Sequence, residues 1–502
     1  MAGRSIPAMS ATLVSNDPRT GRPVGNVELT PVEEVPEIVA RSRKAFADWS
    51  RLSHRERRSH LQAFKQLVLA RGEEVANLVT SETGKPLTEA YGNDVVTALS
   101  VMDHYIRNGE RYLQPRRGKS WPFITTEGWT EFHPRGVAGI ITPWNYPFFL
   151  PMIPIVSALT AGCTVVLKPS ELTPLTGKLL GDLADEAGLP ADVLQVIQGR
   201  GDVGSALIAA GVDVVAFTGS TKVGKLVAAE VAKRLTPAIL ELGGKDAMVV
   251  LDDADLARTA SAAVWGAMLN AGQTCVSIER CYVVDAVYDE FMRHLEKAFD
   301  NVAAATGDHR DIGPIISPPQ IDIIEAHMRD ALEKGARVVR GGRRAGVETG
   351  GIFYEPTLLV DVNHSMSIMR EETFGPILPV MRVADEAAAL AAANDSRYGL
   401  HGSVWTTDRE RGARFASHFK SGTVAVNDVA VNFITPNLAF GGIGDSGFGS
   451  TFGPEGLRTF CYPRSITSAR LRWPTSALLG ARFPRKRPLG YWRALAKALF
   501  RW

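Results

Sequence analysis

Four short stretches of the 502-residue chain hold residues able to act together on a carbonyl group. NAGQTCVSIER, residues 270–280, presents Cys275 after a run of small residues. LELGGK (240–245) sets Glu241 among apolar neighbours, and TPWNYP (142–147) holds Asn145 between two prolines. EETFGP (371–376) carries Glu372 and Phe374. A cysteine thiolate adds to an electrophilic carbon and divides one difficult step into two easier ones. A carboxylate with apolar neighbours is poorly hydrated, which lifts its pKa toward that of a usable general base. An amide held in a stiff turn is a donor already aimed at a developing oxyanion. Each residue also has an ordinary reading taken singly. A lone free cysteine is commonly a buried inert thiol, an apolar-flanked glutamate a salt-bridged structural group, and an asparagine the cap of its own turn. EETFGP alone is no more than an acid-rich loop. Cys163, Cys281 and Cys461 sit in apolar or aromatic contexts and keep the inert reading.

Two further stretches could hold a nucleotide. FTGSTKVGK (217–225) follows a predicted strand and opens a predicted helix. Gly219 and Gly224 would let the backbone approach a phosphate, and a helix N-terminus offers it free N–H groups. VVLKPSE (165–171) ends a predicted strand with Lys168, Ser170 and Glu171, groups able to hydrogen-bond ribose hydroxyls. A carboxylate at that place repels a 2′-phosphate. Plain turn chemistry is the competing reading for both stretches.

The elements that would position these residues follow from periodicity. Residues 30–110 read as helical, with Ser53-His-Arg-Glu56 forming a capping box ahead of Leu61, Phe64 and Val68 at helical spacing. Residues 112–133 suggest a β-hairpin or two-strand excursion. From 136 onward short apolar runs (GVAGIITP, TVVLKP, LQVIQG, VDVVAFTGS, AILELGGK, AMVVL) alternate with helical patterns, so 134–251 predicts a parallel, doubly wound sheet. The alternation repeats over 255–425, and two α/β domains in series is the simplest reading.

Composition sets outer bounds. Hydrophobic content of 45% and charged content of 22% are ordinary for a soluble globular protein. Four scattered cysteines give neither a disulfide framework nor a zinc pattern, so no metal is expected and a reducing, cytoplasmic compartment is. MAGRSIPAMSATL lacks the features of a secretory signal, and no run approaches a membrane span. The net charge of +2 conceals an asymmetry: eleven Lys/Arg and no Asp/Glu lie between Gly456 and Trp502, leaving −9 for residues 1–455.

Taken together, TPWNYP, VLKPSE, FTGSTKVGK, LELGGK, GQTCVS, EETFGP and FGGIGDSGFG, in that order from about residue 15 to about 465, resemble the aldehyde dehydrogenase superfamily. Spacings of 34 residues from Glu241 to Cys275 and 97 from Cys275 to Glu372 are also those of the family. The resemblance implies an α/β fold: a Rossmann-like NAD-binding domain (1–112 and 134–243), an α/β catalytic domain (244–445) and a small β oligomerisation element (113–133 and 456–470) for a homo-dimer or tetramer. It implies that Cys275, as thiolate, attacks the aldehyde, that Asn145 and the Cys275 N–H hold the oxyanion, and that Glu241 activates the water that hydrolyses the thioester. Glu372 and Phe374 would serve the nicotinamide side of the cofactor and Lys168 and Glu171 the adenine ribose. Ser220 with the Gly219–Gly224 turn would serve the pyrophosphate, with Thr142, Trp144, Ser170, Gly201 and Gly243 completing the wall. Glu171 favours NAD, with NADP as the alternative.

Departures from the family pattern narrow the reading. A lysine found in some members nine residues after the asparagine is Pro154 here. Two arginines that grip the substrate carboxylate in one type of succinic semialdehyde enzyme are replaced by Ile153 and Leu269, which favours an apolar aliphatic or aromatic aldehyde. GQTCVSIER and GPEGL resemble a bacterial semialdehyde branch without those arginines, so an acidic substrate stays open. A CoA-acylating enzyme would lack Glu241, and a non-catalytic protein on this fold would have no need of Cys275, Glu241 and Asn145. Beyond the match, residues 471–502 form a basic tail ending in GYWRALAKALFRW, with Arg493, Lys497 and Arg501 at i, i+4, i+8 and Trp492, Leu495, Leu499 and Trp502 at i, i+3, i+7, i+10. Such a segment suits an anionic membrane surface or docking on the acidic body or a neighbouring subunit. No nucleic-acid reading module accompanies the charge.

Overall fold

The computed structural model describes residues 12–118, 126–302, 311–345, 350–470 and 489–500. The first eleven residues, positions 119–125 of the β excursion, residues 471–488 of the tail, and Arg501 and Trp502 lie outside the described residues.

Helices dominate from Val35 to Leu113, as the periodicity requires. Ser53 accepts from the Glu56 N–H at 3.3 Å while its own N–H donates to the Glu56 carboxylate at 2.7 Å. This box starts helix His54–Ala70, which buries Leu61, Phe64 and Val68. Gly84, at φ 74°, ends helix Gly72–Thr83 in the left-handed conformation that glycine adopts without a Cβ clash. A six-residue π-helical stretch, Tyr91–Val96, then leads into helix Thr97–Leu113. Helix Phe149–Ala161 is buried on every side, Pro154 included, and forms the centre of the first core. Its uniformly apolar surface is what a fully enclosed helix needs.

Two mainly parallel sheets follow, each with one antiparallel edge strand. The first has six strands in the order 447–448, 238–241, 214–218, 137–141, 164–168, 194–196. Its strands 164–168 and 137–141 are buried almost throughout, as expected where helices cover both faces. The second has seven strands in the order 337–340, 357–360, 377–383, 278–284, 246–250, 401–405, 423–426. A third sheet pairs Cys461–Ala469 along its whole length with Thr126–Pro134, and Arg116–Gly118 lies on the far side of the latter.

Two features differ from the sequence reading. Asp246–Val250 does not extend the first sheet; it pairs in parallel with 278–284 and 401–405 in the second. The two glycines of Leu242–Lys245 carry the chain across instead. The edge of the first sheet is supplied from far downstream, where Gly447 and Phe448 pair antiparallel to Glu241 and Leu240. A two-residue strand has no periodicity to read.

The tail is helical over Leu489–Phe500, with Trp492, Leu495 and Leu499 partly covered and Leu489 and Phe500 exposed. Among the described residues no helix is long and apolar enough to cross a membrane.

Gly447 has φ 106° and ψ −158°, and a Cβ there would stand 1.9 Å from the Leu240 carbonyl oxygen. Gly447→Ala is therefore expected to destabilise the fold by roughly 1–3 kcal/mol or more, read as a lowered midpoint in urea unfolding. An unchanged midpoint would mean that the edge strand is dispensable.

Candidate active site

The carboxyl ends of strands 137–141, 164–168, 214–218 and 238–241 open on one cavity of about 1000 Å³. It lies where the strand order reverses, with 164–168 to one side of 137–141 and 214–218 to the other. In open α/β sheets that crevice is where nucleotides bind.

Of the residues singled out from the sequence, the cavity wall gathers Cys275, Glu241 and Asn145 with Thr142, Trp144, Lys168, Ser170, Glu171, Gly201, Gly219, Ser220, Gly243, Glu372 and Phe374. Gly224 is absent from that wall. It is buried one turn into helix Thr221–Ala232, where a Cβ would lie 2.3 Å from the Leu242 side chain, so its smallness serves helix–strand packing. Ile153 and Leu269 also lie off this wall: Ile153 is buried in helix Phe149–Ala161, and Leu269 stands at the turn before the cysteine, its carbonyl accepting from the Thr274 hydroxyl at 3.3 Å.

The two halves of the cavity are built differently. At one end the Lys168 ammonium meets Glu171 at 3.1 Å, and Ser220 caps helix Thr221–Ala232 by accepting from the Val223 N–H. At the other, Trp144 and Phe374 meet edge to face at 5.6 Å. Phe374 has φ 52°, and its loop is held by the buried Glu279 carboxylate, which accepts the N–H groups of Thr373 and Phe374 and pairs with buried Lys245. Glu372 accepts from the Gly244 N–H at 3.0 Å. The Gly243 Cα faces the same carboxylate, and a Cβ there would lie 2.2 Å from it. Glu279, Lys245 and Gly244 were not legible as site residues, since each acts on a residue about 30 to 130 positions away.

The cysteine loop is strained. Asn270 and Ala271 have φ 52° and 56°, a left-handed pair without a glycine, and Gly272 follows at φ 71°. A Cβ on Gly272 would stand 2.0 Å from the Gly375 carbonyl oxygen, so the Cys275 and Glu372 loops are in backbone contact there. Strained backbone of this kind persists only where its surroundings over-determine it. Asn145 is buried and donates from Nδ2 to the Gln273 carbonyl at 3.1 Å, which orients its amide beside Cys275.

Electrostatics bear on the cysteine. Its pKa is raised well above the ordinary value by burial and then by the nearby Glu241, Asp246 and Glu372 carboxylates. Burial alone pushes Glu241 up to about 8, and one of its oxygens has no hydrogen-bond partner in the protein. Glu372 also rises to about 8, through burial and then the Glu279 charge, opposed by the Gly244 N–H and Lys245. A thiol, a carboxyl titrating near neutrality and an amide thus share one desolvated crevice, groups of the kind that acyl transfer through a covalent enzyme adduct requires.

The wall also fits a dinucleotide. The Thr142 hydroxyl is buried there with no protein partner, a polar group left for a ligand. Among the described residues no cluster of His, Cys, Asp and Glu could hold a metal ion.

Comparison with known proteins agrees with this arrangement. The model of the aldehyde dehydrogenase family matches residues 6–466. The 4,4'-diapolycopene aldehyde oxidase of Methylomonas sp is 39% identical over 92% of this chain and 87% of its own length. The mitochondrial succinate-semialdehyde dehydrogenase of Arabidopsis thaliana is 36% identical over 87% of this chain and 82% of its own. The structure of an NAD-dependent aldehyde dehydrogenase from Sinorhizobium meliloti superimposes with a TM-score of 0.87 at 34% identity, covering 94% of each chain. An NADP-dependent enzyme of E. coli gives the same score at 33% identity, covering 91% of this chain and 95% of its own. The chain belongs to the aldehyde dehydrogenase family, whose members use NAD or NADP.

A general base works as its carboxylate, and with a pKa of about 8 the ionised fraction of Glu241 rises about tenfold per pH unit below that value. Turnover limited by this base is expected to climb from pH 6 and level off above about 8. Glu241→Gln should lower turnover and abolish the slope. A profile of unchanged shape in that variant would remove Glu241 from the role.

Proposed function

We infer that the chain oxidises an apolar aliphatic or aromatic aldehyde to the carboxylic acid, with NAD as hydride acceptor and a thioester on Cys275. The reading is carried by Cys275, Asn145 and Glu241 sharing one cavity, with an apolar core behind the cysteine. Cys275 packs against the core that contains Tyr146, Phe149, Phe433, Phe440 and Phe452. Phe433 is the hub of that group, with its ring 5.1 Å from Phe149 and 5.4 Å from Phe440. An apolar core there supplies no cation for a substrate carboxylate.

The chemistry divides among the chain's own residues. The thiol proton must leave before attack, and Glu241, whose charge already acts on Cys275, is the acceptor at hand. Sγ then bonds to the aldehyde carbon, and the Asn145 amide and the Cys275 N–H take the charge of the oxyanion. NAD held between Trp144, Glu372 and Phe374 would supply the hydride acceptor that lets the Cys275 adduct become a thioester. Glu241 gives the first proton up to solvent and then takes one from water, which adds to the thioester carbon; that proton passes to the departing sulfur, and the acid and the Cys275 thiol are released. Lys168 and Glu171 hold the adenine ribose, while Glu372, Phe374 and Trp144 line the nicotinamide end.

The name of the Methylomonas relative, which specifies a diapolycopene aldehyde, supports the apolar reading; the name of the Arabidopsis relative favours succinic semialdehyde instead. A panel of aldehydes assayed with NAD and NADP separates the two: longer apolar aldehydes should give the higher kcat/KM, and a preference for succinic semialdehyde would overturn the assignment. Cys275→Ala should abolish the NADH burst.

The exposed strands Arg116–Gly118 and Cys461–Ala469 suit pairing with a second copy of the chain. Helix Leu489–Phe500 carries Arg493 and Lys497 beside an apolar arc of Trp492, Leu495 and Leu499, which suits an anionic bilayer surface and a cytoplasmic protein held there peripherally. The full chain should co-sediment with phosphatidylserine-containing vesicles and a chain ending at Arg470 should not. Equal sedimentation of both would sink the membrane reading.

A further inference from the structure

The turn that aims Asn145 is gripped from behind by a charged pair that takes no part in the chemistry. Lys85 and Asp94 are both buried, and the Lys85 ammonium reaches Asp94 at 2.9 Å. The same ammonium donates to the Asn145 carbonyl at 2.7 Å and lies 4.1 Å from the centre of the Tyr146 ring. The second oxygen of Asp94 accepts the N–H groups of Phe148 and Phe149 at 3.2 and 3.3 Å. Lys85 thus holds one end of the 145–149 turn and Asp94 the other.

Four residues past Lys85, the same segment grips the cysteine loop. Glu89 accepts the Asn270 N–H at 2.6 Å. The Asn270 side chain in turn donates to the carbonyls of Asn145 and Gln273, both at 3.1 Å, and the Gln273 carbonyl is also the acceptor for the Asn145 amide. Tyr146 adds a further tie through its hydroxyl, 2.7 Å from that of Thr274, the residue before the cysteine. Asn145 and Cys275 lie 130 positions apart in sequence, yet both loops are fixed to residues 85–94. Asp94 sits in the π-helical stretch Tyr91–Val96, a form often found at functional sites, whose wider turn alters the direction of a side chain.

We propose that Lys85 and Asp94 are positioning residues for the oxyanion hole, setting the distance between the Asn145 amide and the cysteine loop, with Glu89 fixing the loop from the same segment. This rests on the assignment of Asn145 as oxyanion donor. A buried ion pair gives little net stability against an apolar replacement. The use of this one lies in the direction it imposes on a polar turn that apolar packing would leave free to shift. A displacement on the ångström scale is enough to cost about a hundredfold in rate.

A double-mutant cycle reads the coupling. The amplitude and rate of the NADH burst are measured for the full-length chain, Lys85→Met, Asn145→Ala and the double variant, with NAD affinity measured by fluorescence titration and folding checked by thermal melting. Lys85→Met should slow the burst about tenfold to a hundredfold with NAD affinity unchanged. In the Asn145→Ala background the same change should cost less than about twofold, because the donor it positions is gone. Asp94→Asn keeps the shape and the acceptor for the Phe148 and Phe149 N–H groups, and replaces Lys85→Met in the cycle if that variant does not fold. Losses that multiply fully in the double variant, or a folded variant with a normal burst rate, would overturn the proposal. A normal burst in Asn145→Ala alone would instead remove the assignment on which it rests.

Discussion

The crossing Leu242–Lys245 is the constraint on which the rest of the molecule depends. Within four residues the chain leaves one sheet and enters another, and its residues are tied to three distant parts of the fold. Leu242 donates to the Ser446 carbonyl, and the Gly243 carbonyl accepts from the Ser446 hydroxyl. Gly244 donates to Glu372, and Lys245 pairs with Glu279 while its carbonyl accepts from Arg280. Two glycines are needed because the Glu372 carboxylate and the Cys275 carbonyl stand where side chains would be. The crossing sets the carboxyl ends of the first sheet's strands against the amino ends of the second's, and the groups at those ends become the site.

Desolvation then sets the chemistry. Buried Glu241 and Asp246 stand with half-buried Glu372 and Cys275, and loss of solvent is the first cause of the upward shift in each. No buried cation among the described residues neutralises Glu241, so its carboxyl holds a proton that a surface glutamate would have lost. Lys245 is nearby but is spent on Glu279, which shapes the Phe374 loop. The crevice therefore separates two kinds of carboxylate, one paired for architecture and one left unpaired with a proton to exchange.

Much of this was legible in the sequence because it is local. The capping box at Ser53, the strand-to-helix turn at Ser220 and the strand ends bearing Lys168 and Glu241 are short-range patterns, and the structure has them where spacing put them. What was hidden is long-range. Gly224 reads as a phosphate-turn glycine until Leu242, eighteen positions on, is seen to need its space. Lys85, Glu89 and Asp94 look like the solvated charges of a helical stretch, and only the fold turns them toward Asn145 and Asn270. The upward shift of Cys275 is likewise a sum over residues from two distant segments, 241–246 and 372.

The edge strand Gly447–Phe448 carries a consequence for biosynthesis. A ribosome releases this chain from the N-terminus, so the Glu241 strand emerges some two hundred residues before the partner that covers its edge. Until then one side of the first sheet offers unpaired N–H and C=O groups, a template for pairing with other nascent chains. A product released early, short of residue 447, would keep both the cysteine and the glutamate in its sequence yet leave the floor beneath Glu241 open. That edge of the sheet is therefore covered only in a chain made at least as far as Phe448.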